Sequence, residues 1–237
     1  MFPMFDPLYL IMLIPGLLIA GWASFKVKAA YNKYSKIRSF SGYSGASIAR
    51  LILDRNGLND VAVEQVPGHL SDHYDPRSRT LRLSPQVYQS SSIAALGIAA
   101  HEAGHALQHK TQYAPLQLRS FMVPVASFGS NFAWIIMFIG IFMASMGSSA
   151  GSTLIMIGVS LFGAAVAFTL VTLPVEFNAS TRAKAMLTQY GIVSAEEQKG
   201  VSNVLNAAAM TYVAAAVTAV LQLLYWLIRL GLLGGDD

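Results

Sequence analysis

The sequence predicts a mainly α integral membrane protein, with four transmembrane helices and a small α+β region between the first and second. Three observations lead there. Of 237 residues, 54% are hydrophobic and only 12% charged, whereas ordinary soluble domains carry about 25% charge. Four apolar stretches, residues 7–25, 124–146, 153–173 and 210–233, are each of the length a hydrocarbon core requires. The residues between the first two stretches are polar enough to fold in water and show strand-like and helix-like periods in turn.

Pro7 to Phe25 contains nineteen uncharged residues. A signal peptide would carry its basic residues ahead of the apolar run and a small-residue cleavage site after it. Here the basic residues follow, so a retained signal anchor is expected. Lys26, Lys28, Lys33, Lys36 and Arg38, interleaved with Tyr31 and Tyr34, form a juxtamembrane helix whose cations lie near headgroups or simply fix topology. Ser44 then caps a short amphipathic helix with Ala46, Ala49, Leu51, Ile52 and Leu53 as its stripe, and Gly57 stops it. Val61 to Val66 alternates like a strand until Pro67-Gly68 breaks it. Thr80 to Leu83 reads as a second strand after the Asp75-Pro76-Arg77-Ser78 turn. His69, Asp72, His73 and Asp75 fall in this turn-rich segment, where backbone donors ordinarily occupy such side chains, so a structural role is expected over a second metal site.

The helix over residues 92–110, SIAALGIAAHEAGHALQHK, carries HEAGH at His101 to His105. Residues four apart share a helix face, so His101 and His105 can grip one ion, and imidazole nitrogens suit zinc. Glu102, turned about 100° from His101, lies where it can act as general base. A shuffled chain with five His and five Glu would show the pattern with expectation of about 0.002, so coincidence is a poor account of it. Ser90, Ser91 and Ser92 offer N-caps, and Gly104 in mid-helix indicates a close backbone approach. An exposed strand edge beside this helix could hold an extended peptide, and Thr80 to Leu83 is the candidate edge. His109, about 12 Å further along the axis than His101, is too far to share the ion.

After Arg119 the next charged residue is Glu176, an interval of 56 residues that accommodates two spans. Gly147 to Ser152 makes the turn between them, and Pro174 marks the exit from lipid. Two histidines leave a catalytic zinc one protein ligand short. The downstream candidates are Glu176, Glu196, Glu197 and the terminal aspartates. Glu196 and Glu197 open a helix, where acids serve the dipole, whereas Glu176 has apolar neighbours that give a carboxylate reason to pair with a cation. The last span, 210–233, ends with Tyr225, Trp226 and Arg229 as expected interfacial anchors and a polar tail at 234–237.

HEAGHALQ, SDHYDPRSRTLRLS and LPVEFNASTRAKAML together resemble the YugP-type family of membrane zinc metallopeptidases and, more loosely, the HtpX-like membrane gluzincins. The resemblance covers nearly the whole polar region and the order of spans. It implies a zincin-like metallopeptidase domain with His101, His105 and Glu176 as ligands of Zn2+ and Glu102 as base. The looser relatives place an Asp shortly after that Glu, where this chain has Asn178 and Ser180, so the carboxylate that would orient a ligand histidine is unassigned. Arg182 is a candidate for stabilising an oxyanion.

Fifteen of the sixteen Lys/Arg lie between spans one and two or three and four. The positive-inside rule therefore makes residues 26–123 and 174–200 cytoplasmic and leaves both termini outside. The basic balance needs no nucleic-acid partner, and with no cysteine there is neither a disulfide nor a thiolate ligand. The expected function is hydrolysis of peptide bonds in membrane or membrane-proximal proteins, with the lipid bilayer and a protein or peptide substrate as partners. The competing class is a membrane scaffold or regulator that holds zinc without turnover. A transporter has little support, since no span carries a charge at mid-depth.

Overall fold

The computed structural model describes residues 6–232. Its elements run α1 (Pro7–Tyr34), α2 (Gly45–Arg55), β1 (Ala62–Gln65), β2 (His73–Asp75), β3 (Thr80–Leu83), α3 (Pro85–Tyr88), α4 (Ile93–Lys110), α5 (Ala114–Ser145), α6 (Ser149–Gln189) and α7 (Ala195–Arg229). The chain is thus mainly helical with one small sheet. The expected tail at 234–237 and the last residue of the span at 210–233 lie outside the described residues.

The contacts divide the chain into two compact units. One takes residues up to Trp22, Leu118–Leu173 and Tyr212 onward. Its helices belong to four, α1, α5, α6 and α7, that are long and apolar enough to cross a membrane. No more than 33% of any of their apolar windows is buried. Side chains such as Ile11, Leu18, Phe128, Phe138 and Phe142 point outward, each more than half exposed. Such a surface far exceeds the apolar patch a soluble monomer tolerates and matches a hydrocarbon solvent. Inside the unit the helices pack through small residues: a Cβ on Gly129 would stand 2.6 Å from the Leu161 carbonyl oxygen, so only glycine lets the two backbones meet there. Tyr225 and Trp226, expected as interfacial anchors, are 2% and 5% exposed. Their rings pack on Tyr9 and Trp134, and the Tyr225 hydroxyl donates to Asp6 at 3.0 Å. A polar end on an apolar ring suits either place, and here a buried carboxylate acceptor decides it.

The second unit takes Ala23–Gln117 and Pro174–Thr211. Ile48, Ile52, Leu53, Leu81, Leu83, Leu96 and Leu187 form its fully buried core. Both short helices begin as read: the Ser44 side chain accepts from Ser47 N, and that of Ser92 from Ala95 N. In the sheet, β3 lies in the middle, parallel to β1 and antiparallel to β2. This corrects the expectation that Thr80 to Leu83 is an open edge. Both of its sides are already paired, and Thr80, Leu81 and Leu83 are buried, so the strand is core. The helix through Pro174 does not break, and α6 continues to Gln189. A proline removes one ladder donor, a loss that neighbouring groups in membrane-type helices can offset. Glu197 does serve the start of α7, where it and Ser194 form a reciprocal capping box, while its other oxygen accepts from Phe40 N.

Candidate metal centre

α4 is buried on fourteen of its eighteen residues, including Glu102 and His105. Its tolerance for such burial comes from small side chains, chiefly Ala, which let other elements approach on most faces. The closest approach is at Gly104, where a Cβ would stand 2.7 Å from the carbonyl oxygen of Ala179 on α6. The mid-helix glycine therefore has the reason its position implies. It brings the turn holding His101 and His105 against the turn of α6 that holds Glu176.

Ligand-type atoms of His101, His105 and Glu176 lie within 4.8 Å of one another, and they form the one such triad among the described residues. Nε2 of His101 is 3.2 Å from Glu176 Oε2, and Nε2 of His105 is 3.7 Å from the same oxygen. The two imidazole planes stand nearly perpendicular, at 86°. Two nitrogens and a carboxylate oxygen converging on one point are the donor set of a catalytic zinc. Electrostatics agree with a cation there. Burial pulls the His105 pKa down, but the hydrogen bond to Glu176 and the charges of Glu102 and Glu176 outweigh it, and the net direction is upward. Where a buried site raises a histidine this way, it is short of positive charge.

Partners that the sequence left unassigned are now visible. The His101 Nδ1 lies 3.1 Å from the Ser180 hydroxyl, and the His105 Nδ1 lies 3.0 Å from Gln108 Oε1. Gln108 stands one turn past His105, so helical spacing offered a signal for it. Ser180 stands one turn past Glu176 in the same way. Arg182, a candidate for an oxyanion, directs its Nε–H to Asn178 at 2.8 Å and a terminal N–H to Thr111 at 3.4 Å.

The turn-segment acids and histidines lie in other roles. Asp72 accepts from the Ser84 N–H at 2.7 Å and from its hydroxyl, although burial pushes its carboxyl pKa up. His73 Nδ1 meets the Ser71 carbonyl at 2.8 Å, His69 packs edge-on to Tyr31, and Asp75 accepts from Arg77 N and Ser78. His109, on the far end of α4, meets the Tyr74 hydroxyl at 2.9 Å and ties β2 to the helix.

Four helices long and apolar enough to cross a membrane, with two histidines of an HExxH helix set against a glutamate of a second helix, have the form of a membrane metallopeptidase. A sequence model of the family described as "Putative neutral zinc metallopeptidase" matches residues 9–231. The chain belongs to this family. It is 48% identical over 217 residues to the "Putative membrane protease YugP" of Bacillus subtilis (strain 168), covering 92% of this chain and 94% of that one. No solved structure matches it.

Proposed function

We propose that the chain is a membrane-embedded zinc endopeptidase that hydrolyses peptide bonds of membrane or membrane-proximal proteins on the cytoplasmic side. The observation that carries this reading is the convergence of His101, His105 and Glu176 on the helix turn that also holds Glu102. These three would hold the zinc, within a zincin-like domain. Zinc held there supplies Lewis acidity toward a peptide carbonyl and toward water. Glu102 is buried, one residue from a ligand, and it accepts the proton of the attacking water and delivers it to the leaving amine. Because β3 is interior, an extended substrate would pair with an outer strand; β2, which Tyr74 ties to α4, is the nearer support. The distribution of fifteen of sixteen Lys/Arg supports a cytoplasmic site with both termini outside.

Glu102→Gln leaves both imidazoles in place. The variant is expected to keep zinc while hydrolysis falls about 100- to 10,000-fold, read by comparing membrane-protein fragments in cells carrying either form. Zinc retained with no fragment that differs between the two would favour a zinc-holding scaffold. Topology is tested on the natural cysteine-free background. Ser149→Cys should label from outside and Arg55→Cys only after permeabilisation; the reverse would place the centre on the other side.

A further inference from the structure

The two ligand histidines differ in how their second nitrogen is held. At His101 the partner is the Ser180 hydroxyl, which can donate or accept and so leaves the tautomer open. At His105 it is the amide of Gln108, a side chain with no solvent exposure. The orientation of an amide is settled by neighbours whose own roles cannot change, and two such neighbours are present. The Val175 backbone carbonyl, 2.8 Å from Gln108 Nε2, can only accept. The Arg182 Nε–H, 2.8 Å from Asn178 Oδ1, can only donate. Asn178 must therefore turn its oxygen toward Arg182, and that same oxygen also accepts from Gln108 Nε2 at 3.0 Å. Gln108 is left with Oε1 facing His105. Since an amide oxygen only accepts, His105 carries a proton on Nδ1, and Nε2, the atom that faces Glu176, is the nitrogen that gives up its proton when an ion is bound.

We propose that Gln108 is the positioning residue of the centre, holding His105 in its Nδ1-protonated tautomer with Nε2 free for the ion, and that Asn178 and Arg182 brace Gln108 in turn. The chain of bonds runs from half-buried Arg182 to a buried ligand, and the two N–H groups of the Gln108 amide meet two acceptors, the Val175 carbonyl and Asn178 Oδ1. It takes the place of the carboxylate that commonly backs a ligand histidine. It does so with a neutral amide, which orients the ring without adding negative charge to the site. Gln108 also binds the Val175 carbonyl on α6, so the same side chain fixes the ring and the spacing between the two helices that supply ligands.

The zinc part of this proposal rests on the function proposed above, while the tautomer part does not. The test uses the full chain in detergent micelles with 15N-labelled histidine, first metal-free and then titrated with zinc against a competing chelator. At a pH high enough to leave the imidazole neutral, the native metal-free protein should show His105 protonated on Nδ1. Gln108→Met, similar in size but without an acceptor, should mix the tautomers and weaken zinc about 10- to 100-fold. Ser180→Ala should leave the His105 tautomer unchanged. Native tautomer and native zinc affinity in Gln108→Met would overturn the proposal. If that variant does not fold, Arg182→Gln at the half-buried end decides. Tautomer mixing with a smaller loss of zinc affinity supports the brace, and no change in either overturns it. A native chain that binds no zinc would sink the metal reading and leave the tautomer result standing.

Discussion

α4 and α6 bring opposite kinds of sequence to one centre. α4 is short and almost wholly buried, and it concentrates two proposed ligands and the proposed base in five residues. α6 has 41 residues, with only 22% of its apolar window buried, and contributes one proposed ligand, Glu176, from the turns that follow Pro174. The difference teaches where a metal site's information is stored. On α4 it is local, because an i, i+4 pair is a property of helix geometry alone. On α6 it is positional, because a single carboxylate becomes a ligand only through the element it is packed against.

The sharpest way to break this comparison is to remove the one donor on α6. Glu176→Ala should lose stoichiometric zinc, measured as bound metal per purified chain, since a catalytic zinc site rarely persists on two histidines. Glu196→Ala, Glu197→Ala and His73→Ala should keep it. Glu197 caps α7, Glu196 pairs with Lys199 on the surface, and His73 binds a backbone carbonyl. Metal surviving Glu176→Ala but lost with His73→Ala would mean that α6 is no ligand donor.

A smaller effect distinguishes the helices by packing. Gly104→Ala on α4 sets a Cβ 2.7 Å from the Ala179 carbonyl oxygen. Backbone cannot swing aside as a side chain can, so overpacking costs about 1–3 kcal/mol and outweighs the gain of up to about 1 kcal/mol in helix propensity. Gly163→Ala on α6 meets nothing within 4 Å and should be neutral or mildly stabilising. Thermal unfolding of both variants in detergent should give shifts of opposite sign or, at least, a loss for Gly104 only. Equal losses would mean that the Gly104 contact does not set the spacing of α4 and α6.

The same distinction explains what could be read from the residues alone. HEAGH, the Ser44 and Ser92 caps and the strand at Thr80 to Leu83 follow from local spacing, and all are present. β2 escaped because His73-Tyr74-Asp75 is three residues with no alternation to detect; its strand character comes from pairing with β3. The edge assignment of β3 failed for the same reason, since strand order is a tertiary property. Tyr225 and Trp226 have the composition of interfacial anchors, and their packing against Tyr9 and Trp134 and the bond from Tyr225 to Asp6 depend on neighbours that spacing does not reveal. Gln108 and Ser180 were within reach of helical spacing. An amide and a hydroxyl stand behind the histidines where a carboxylate is the commoner partner.

The smallest expected effect concerns the sheet behind α4, and it is a pH dependence. Asp75 ends β2, the strand that Tyr74 ties to His109 of α4. The Ser78 hydroxyl, the Arg77 N–H and the Arg82 guanidinium donate to its carboxylate and hold its pKa down to about 2, from an ordinary 3.8. A carboxyl with a depressed folded-state pKa contributes stability that is fully present above the unfolded value and is lost as pH falls through the folded one. The contribution should therefore be complete at pH 5, decline between about pH 4 and 2, and vanish below. Because the Asp75 side chain is still 30% exposed, solvent screening keeps the contribution small. Asp75→Asn should unfold at a slightly lower temperature than the native chain at pH 5, and the gap should close as pH approaches 2. A gap that widens on acidification would mean that the turn is held by something other than the ionised carboxylate. An unchanged gap would remove Asp75 from the support of β2, leaving the Tyr74 to His109 bond as the tie between the sheet and the α4 side of the centre.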